Sequence, residues 1–407
     1  MSLLQVFVLI SPLITYPYLV DTLGSELYGW VIIAQVLASY ASIAVGFGFN
    51  EVTAKEIAMH TDDARKISEI VSSVITIRIG IWLVCLPLYC LIIAAVPAYS
   101  EYRWLFLLSF GCTFNELLFP VFYFQGIERM ENITWVTLAI RTVSVLGIFA
   151  FVNDASDFLM VPLLNSMSYI VGGFIALYII FFRHKIKFRM PSFRAVRFYF
   201  KDAGTVFMTN VIATFKDKLN YIIMGACLSK SQIVVYDLGS RISGLLVRPA
   251  SIIATVLFPH ISRKSDIKLF KSGLLCCTVC TLALVTICFL LLPQITGFFI
   301  SEDIDTTPVR LYLLAPLFLG VSGFVSYCFL IAYGHVGYIF KSIIVTVCVY
   351  ALLMVGAWHM GMLNSALPFV AITVLSYLAE LIYRIVVSHK IYRHDEVKKA
   401  HQADGAQ

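Results

Sequence analysis

Residues 73–96 read Ser73-Val-Ile-Thr-Ile-Arg78-Ile-Gly-Ile-Trp-Leu-Val-Cys-Leu-Pro-Leu-Tyr-Cys-Leu-Ile-Ile-Ala-Ala-Val96, twenty-four residues with a single charge. A helix needs about 20 mostly apolar residues to cross a hydrocarbon core of about 30 Å. The same ruler moved outward finds eleven further runs, at 2–20, 27–49, 103–124, 134–152, 158–182, 203–227, 232–258, 271–300, 309–333, 341–359 and 365–388. Composition agrees: 60% of the 407 residues are hydrophobic, 13% are charged and the mean hydropathy is +0.87. Soluble domains carry about 25% charged residues, and this chain has too few to cover a water-facing surface. Soluble enzymes, nucleic-acid binders, disulfide scaffolds and disordered chains are excluded. The chain is expected to be an all-α polytopic membrane protein with twelve spans. Its first run has no basic flank, and no small-residue cleavage pattern follows it, so it is expected to be a retained span.

The joints between runs alternate. Those at 21–26, 97–102, 153–157, 228–231, 301–308 and 360–364 are short and carry only Arg103, Lys230 and Arg310 at or near their edges. The other joints and the C-terminal end, counted from Arg384, hold twenty-one Lys and Arg. The positive-inside rule then places both termini in the cytoplasm. The longest basic joint, 183–202, has seven cations and interleaved Phe188, Phe193, Phe198 and Tyr199. It divides the chain into halves, 1–182 and 203–388, with a cytoplasmic tail at 389–407, a plan common among secondary transporters. Anionic lipid near a cytoplasmic joint accounts for its charge, and no nucleic-acid partner is expected.

The loops are too small for a catalytic domain, and there is no Gly-rich phosphate loop. The eight histidines are scattered singly, and the ten cysteines lie in or beside apolar runs as small packing residues, Cys277-x-x-Cys280 included. The chain is expected not to be an enzyme and to have no metal and no cofactor.

What remains is the charge inside the runs: Arg78, Arg141, Lys216, Lys218, Arg241 and Arg248, with Glu116, Asp217, Asp237 and Glu380. Each costs at least about 2.5–3.5 kcal/mol at the bilayer centre, so they must face one another or a wet interior. Arg78 lies near the inner edge of its run, where snorkelling competes with a pathway role. Lys216-Asp217-Lys218 sweep about 200° of helix and cannot share a direction. Asp237, Arg241, Gly244 and Arg248 share one helical face. Arg248 has no local carboxylate, and the excess of cations suits an anionic substrate such as a phosphate or diphosphate. All six cations are candidates for headgroup binding. Glu116, Asp217 and Asp237 are candidates for binding a coupling H⁺ or Na⁺.

Several strings carry a resemblance. They are Pro17-Tyr18-Leu19-Val20 with Leu23-Gly24 and Tyr28-Gly29; Gly48-Phe49-Asn50 with Ala54-Lys55 and Ile57-Ala58; Phe119-Pro120-Val-Phe-Tyr-Phe124-Gln125-Gly126-Ile-Glu128-Arg-Met130; Asp217-Lys218 with Gly225; and Phe258-Pro259-His-Ile261-Ser262. In this order they resemble the polysaccharide repeat-unit flippases of the multidrug/oligosaccharidyl-lipid/polysaccharide exporter superfamily, closest to the O-antigen branch. Asp21 departs from the pattern, standing where many relatives have a basic residue. The resemblance implies two six-helix bundles around a central cavity in the bacterial inner membrane. It also implies alternating access that carries undecaprenyl-diphosphate-linked oligosaccharide to the periplasmic leaflet, with a polysaccharide polymerase as possible partner. A drug/cation antiporter of the same superfamily should instead have an acidic cavity, and a membrane sugar polymerase or ligase should have a long outer loop.

Overall fold

The computed structural model describes residues 3–264, 267–302 and 305–404, and all of its regular structure is helical. Side chains at 1–9, 209–210, 213, 264–266, 303–304 and 394–407 lie outside the described set, and with them Lys264, Lys398 and Lys399 of the basic joints. Helix α1 (Leu3–Leu23) is followed by α2 (Ser25–Met59), α3 (Ala64–Ala95), α4 (Arg103–Gly126), α5 (Met130–Phe151) and α6 (Ala155–Arg183). Then come α7 (Phe193–Cys227), α8 (Lys230–Arg263), α9 (Ile267–Leu290), α10 (Thr307–Ile331), α11 (Gly337–His359) and α12 (Ala366–Arg393). Among the described residues, ten of these segments, α2–α6 and α8–α12, are long and apolar enough to cross a membrane.

Contacts divide the chain into two units, Met1–Gly225 and Ala226–Gln407. Nearly all of α7 therefore groups with the first unit, where the Tyr40 hydroxyl donates to the Phe215 carbonyl at 3.2 Å and Lys218 Nζ donates to Ser39 Oγ at 2.7 Å.

Two breaks shape the first unit. Segment α2 is interrupted at Phe47 and Gly48, both at positive φ (47° and 74°). A Cβ on Gly48 would lie 3.0 Å from the Phe207 backbone nitrogen, so the left-handed turn also depends on a side-chain-free residue. Segment α4 is interrupted at Phe119 and Pro120, because proline lacks the N–H that would continue the ladder and pushes Phe119 into the extended region. The second half of α4 then packs on the second half of α2. Gly126 sits so close to Ile57 that a Cβ there would meet the Ile57 Cβ at 2.6 Å. The Gly48-Phe49-Asn50, Ile57 and Phe119–Gly126 strings thus belong to one packed corner, with Phe49, Ile57, Phe122 and Phe124 fully buried.

Beside that corner Asp63 caps α3. It accepts from the backbone N–H groups of Arg65 and Lys66 at 2.9 and 3.0 Å. These bonds, that from Lys66 foremost, hold its carboxyl below the usual range.

In the second unit α8 packs on α9 and α10, and α12 packs on α10 and α11. The shared core contains Ala250, Ala254, Phe270, Cys277, Phe324 and Phe329.

Candidate functional site

Arg78 is 1% exposed. Its guanidinium carbon lies 5.9 Å from the centroid of the Phe49 ring and 5.4 Å from that of Phe122. Nη1 donates to the backbone carbonyl of Glu116, and Nη2 donates to Asn50 Oδ1 at 3.1 Å and lies 3.8 Å from Glu116 Oε2. The carbonyl of Glu116 is the one that the N–H of residue 120 would have taken in an unbroken helix. Pro120 has no N–H, so Arg78 satisfies the orphan that Pro120 creates. Its charge is shared among Glu116, Asn50 and two ring faces. The Glu116 side chain keeps 27% exposure, and its carboxylate packs over Gly46.

The other cations of the first unit differ. Lys216 is buried and lies 2.6 Å from Asp217 Oδ1, while Asp217 is about half exposed. Lys218 turns toward Ser39 on α2. Lys216 and Asp217 thus meet at their charged ends while Lys218 turns elsewhere, so the three do not share one direction. Arg141 is half-buried on α5 and has no ion-pair or hydrogen-bond partner among the described residues. At the end of α6, a His184 ring nitrogen lies 2.8 Å from the Tyr123 hydroxyl. Partial burial, then the charges of Arg129 and Arg183, pull the His184 pKa below its ordinary value.

In the second unit, α8 carries Asp237, Arg241, Gly244 and Arg248 at spacings of four, three and four. The opposite side of α8 is fastened to α10, with Ser243 Oγ donating to the Tyr312 carbonyl at 3.0 Å. Asp237 is buried and ion-paired with Nε of Arg241. Gly244 and Arg248 are exposed, and Arg248 has no side-chain partner among the described residues. Arg248 is eighteen residues from Lys230 and fifteen from Arg263, about 27 and 22 Å along the helix. In hydrocarbon such a guanidinium would cost at least about 2.5–3.5 kcal/mol, so its position favours a hydrated surrounding. It offers five donors in a planar fork that matches phosphate oxygens.

One buried cation was grouped with the joints by sequence and belongs inside. Arg384 lies within α12 and is 7% exposed. It pairs with Glu380 at 2.7 Å and donates to Ser342 Oγ at 3.0 Å, the Ser322 carbonyl at 3.2 Å and Ser322 Oγ at 2.9 Å. Glu380 Oε2 in turn accepts from Thr346 at 3.1 Å. The available signal was the four-residue spacing of Glu380 and Arg384 beside an equally spaced Ser342 and Thr346. The basic count on the joint side falls from twenty-one to twenty, which leaves its asymmetry intact.

Known proteins support the assignment at two levels. The polysaccharide biosynthesis protein family model matches residues 1–265. A candidate O-antigen transporter from Escherichia coli (strain K12) is 26% identical over 313 residues, covering 75% of each chain. Among solved structures, the lipid II flippase MurJ in an inward closed conformation superposes with a TM-score of 0.73 at 17% identity, over 95% of this chain and 86% of its own. An inward-facing multidrug resistance MATE family transporter of the MOP superfamily superposes with a TM-score of 0.67 at 13% identity, over 97% and 96% of the two chains. At such identities the likeness establishes the fold alone. That fold is the one shared by MurJ and MATE transporters, and the chain belongs to the polysaccharide biosynthesis protein family.

Proposed function

We propose that this protein is a flippase for undecaprenyl-diphosphate-linked O-antigen repeat units, moving them from the cytoplasmic to the periplasmic leaflet of the bacterial inner membrane. Arg248 carries this assignment, as a guanidinium exposed at membrane depth with no acidic partner among the described residues. Similarity to the candidate O-antigen transporter supports the substrate class. A diphosphate head does not cross hydrocarbon unaided at a useful rate, because its charges would lose their hydration. A hydrated, cationic face lowers that barrier without making or breaking any bond. In this scheme Arg241 and Arg248 of the second unit engage the diphosphate, and Arg141, Lys216 and Lys218 of the first unit are proposed as headgroup-binding cations in their own right. Arg78 serves the same path indirectly, by holding the broken ends of α2 and α4. Glu116, Asp217 and Asp237 are the proposed sites for a coupling H⁺ or Na⁺. A polysaccharide polymerase is the proposed partner downstream.

The same proposal includes twelve spans, with α1 and α7 added to the ten, in two six-helix bundles. In chain order these are residues 1–182 and 203–388, joined by the basic linker 183–202, and α7 docks on the first unit. Both termini are inward, on the warrant of the Lys and Arg distribution. Alkaline phosphatase fused near Asp154 is expected to be active and fused at Ser192 inactive; activity at Ser192 would overturn the orientation.

A drug/cation antiporter is the alternative within the same fold. Proteoliposomes separate the two. Movement of a fluorescent undecaprenyl-diphosphate sugar without movement of a cationic dye supports the flippase, and dye movement alone overturns it.

A further inference from the structure

The polar face of α8 does not stop at Arg248. Continuing the spacing of three and four residues gives Ser251 and Thr255, both exposed. Together with Val247 they face Leu319, Gly323 and Tyr327 of α10 across a groove of about 270 Å³. Each helix contributes positions i, i+4 and i+8, so the groove runs along both axes. Its floor is tight: a Cβ on Gly320 would lie 3.2 Å from that of Ala250, and Cys328 Sγ contacts the Ala254 carbonyl at 3.4 Å. The Phe258 and Tyr327 rings, 4.8 Å apart, stand at the end nearer the basic joint.

The groove walls ask for hydrocarbon. Ser251 Oγ donates to the Arg248 carbonyl at 2.7 Å, and Thr255 Oγ1 donates to the Ser251 carbonyl at 2.8 Å, so both hydroxyl protons are spent on their own helix. What remains toward the groove is largely methyl, methylene and ring surface. Arg248, exposed and three residues before Ser251 on the same helical face, lies next along α8 beyond its other end, outside the lining itself. A single occupant matches both ends, an amphiphile with an anionic head and an apolar chain.

We propose that the α8–α10 groove binds the first isoprene units of a polyprenyl-diphosphate lipid while Arg248 holds its diphosphate. This rests on the proposed function and adds the place where the tail lies. The groove extends from Arg248 toward the basic joint, so the tail lies on the cytoplasmic side of its head, the orientation of a lipid in the periplasmic leaflet.

Gly323 permits a clean test. It is exposed, and a Cβ there would meet nothing within 4 Å, so a leucine side chain can start without a clash and extend into the groove. Gly356 on α11 is equally open and gives a matched Gly356→Leu control. Binding is measured by native mass spectrometry from phosphatidylcholine nanodiscs, with undecaprenyl diphosphate, isopentenyl diphosphate and dioleoyl phosphatidylglycerol as probes. The wild type and Gly356→Leu are expected to prefer undecaprenyl over isopentenyl diphosphate by at least about tenfold, the effect of sheltering a few methylenes. Gly323→Leu should lose that preference yet still bind isopentenyl diphosphate. An undiminished preference in Gly323→Leu, with binding lost in Arg248→Ala, overturns the groove and leaves the flippase assignment standing. Equal binding of phosphatidylglycerol by the wild type also overturns it, since any acyl chain would then serve, as does a dimer that Gly323→Leu converts to monomer with lipid binding unchanged. Failure of the wild type to bind any prenyl diphosphate would remove both proposals.

Discussion

Arg248→Ala is expected to abolish most surface polysaccharide while the protein accumulates in the membrane at wild-type level. Two features of the site separate these effects. Arg248 is exposed and has no side-chain partner among the described residues, so its removal strands no buried acid there. The stability change should therefore stay within about 0.5 kcal/mol. Charge-assisted hydrogen bonds to a phosphate are worth about 1.5–3 kcal/mol, so their loss should cost about ten- to a hundredfold in transport. Arg248→Lys keeps the charge without the planar fork and should retain partial activity. Arg248→Met keeps length without charge and should behave like alanine. Normal surface polysaccharide from Arg248→Met, at normal expression, would remove Arg248 from the pathway.

Arg384→Ala should act in the opposite way, on stability first. The Glu380 carboxylate, 13% exposed, would remain in the protein without its cation. Ser322 and Ser342 would lose their donors at the same time. Breaking one side of a buried ion pair costs about 3–5 kcal/mol, enough to lower both the amount of protein in the membrane and its melting temperature in detergent. The Glu380→Gln/Arg384→Met double variant leaves no buried charge and should recover most of that loss. Wild-type abundance and melting of Arg384→Ala would show that the network contributes nothing to the second unit.

These two arginines mark where the sequence could and could not be read. Membrane class follows from runs such as 73–96 because length and apolarity are themselves the physical requirement for crossing. The α8 face was also legible, since Asp237, Arg241, Gly244 and Arg248 fall on one stripe by helical spacing alone. Arg384 was not, because a cation near the end of a span looks the same whether it joins the loop or folds back onto an acid one turn earlier. Arg78 shows a second limit. Depth along a helix says nothing about which side the residue faces, and its partners come from two other places in the chain: the broken ladder at Pro120, and the Phe49 ring with the Asn50 amide beside the break in α2. The groove beside Arg248 left no mark in hydropathy, because it is made by small residues on two helices whose pairing is known only from the fold.

The proposed flipping of lipid-linked oligosaccharide is tested most directly in proteoliposomes holding a fluorescent undecaprenyl-diphosphate oligosaccharide, with a membrane-impermeant reductant added outside. In protein-free vesicles only the outer-leaflet pool is bleached. Vesicles with the wild-type protein are expected to lose the inner pool as well, on a timescale that Arg248→Ala slows toward the protein-free rate. An inner pool that stays protected with wild-type protein, in vesicles where its insertion is verified, would contradict the assignment.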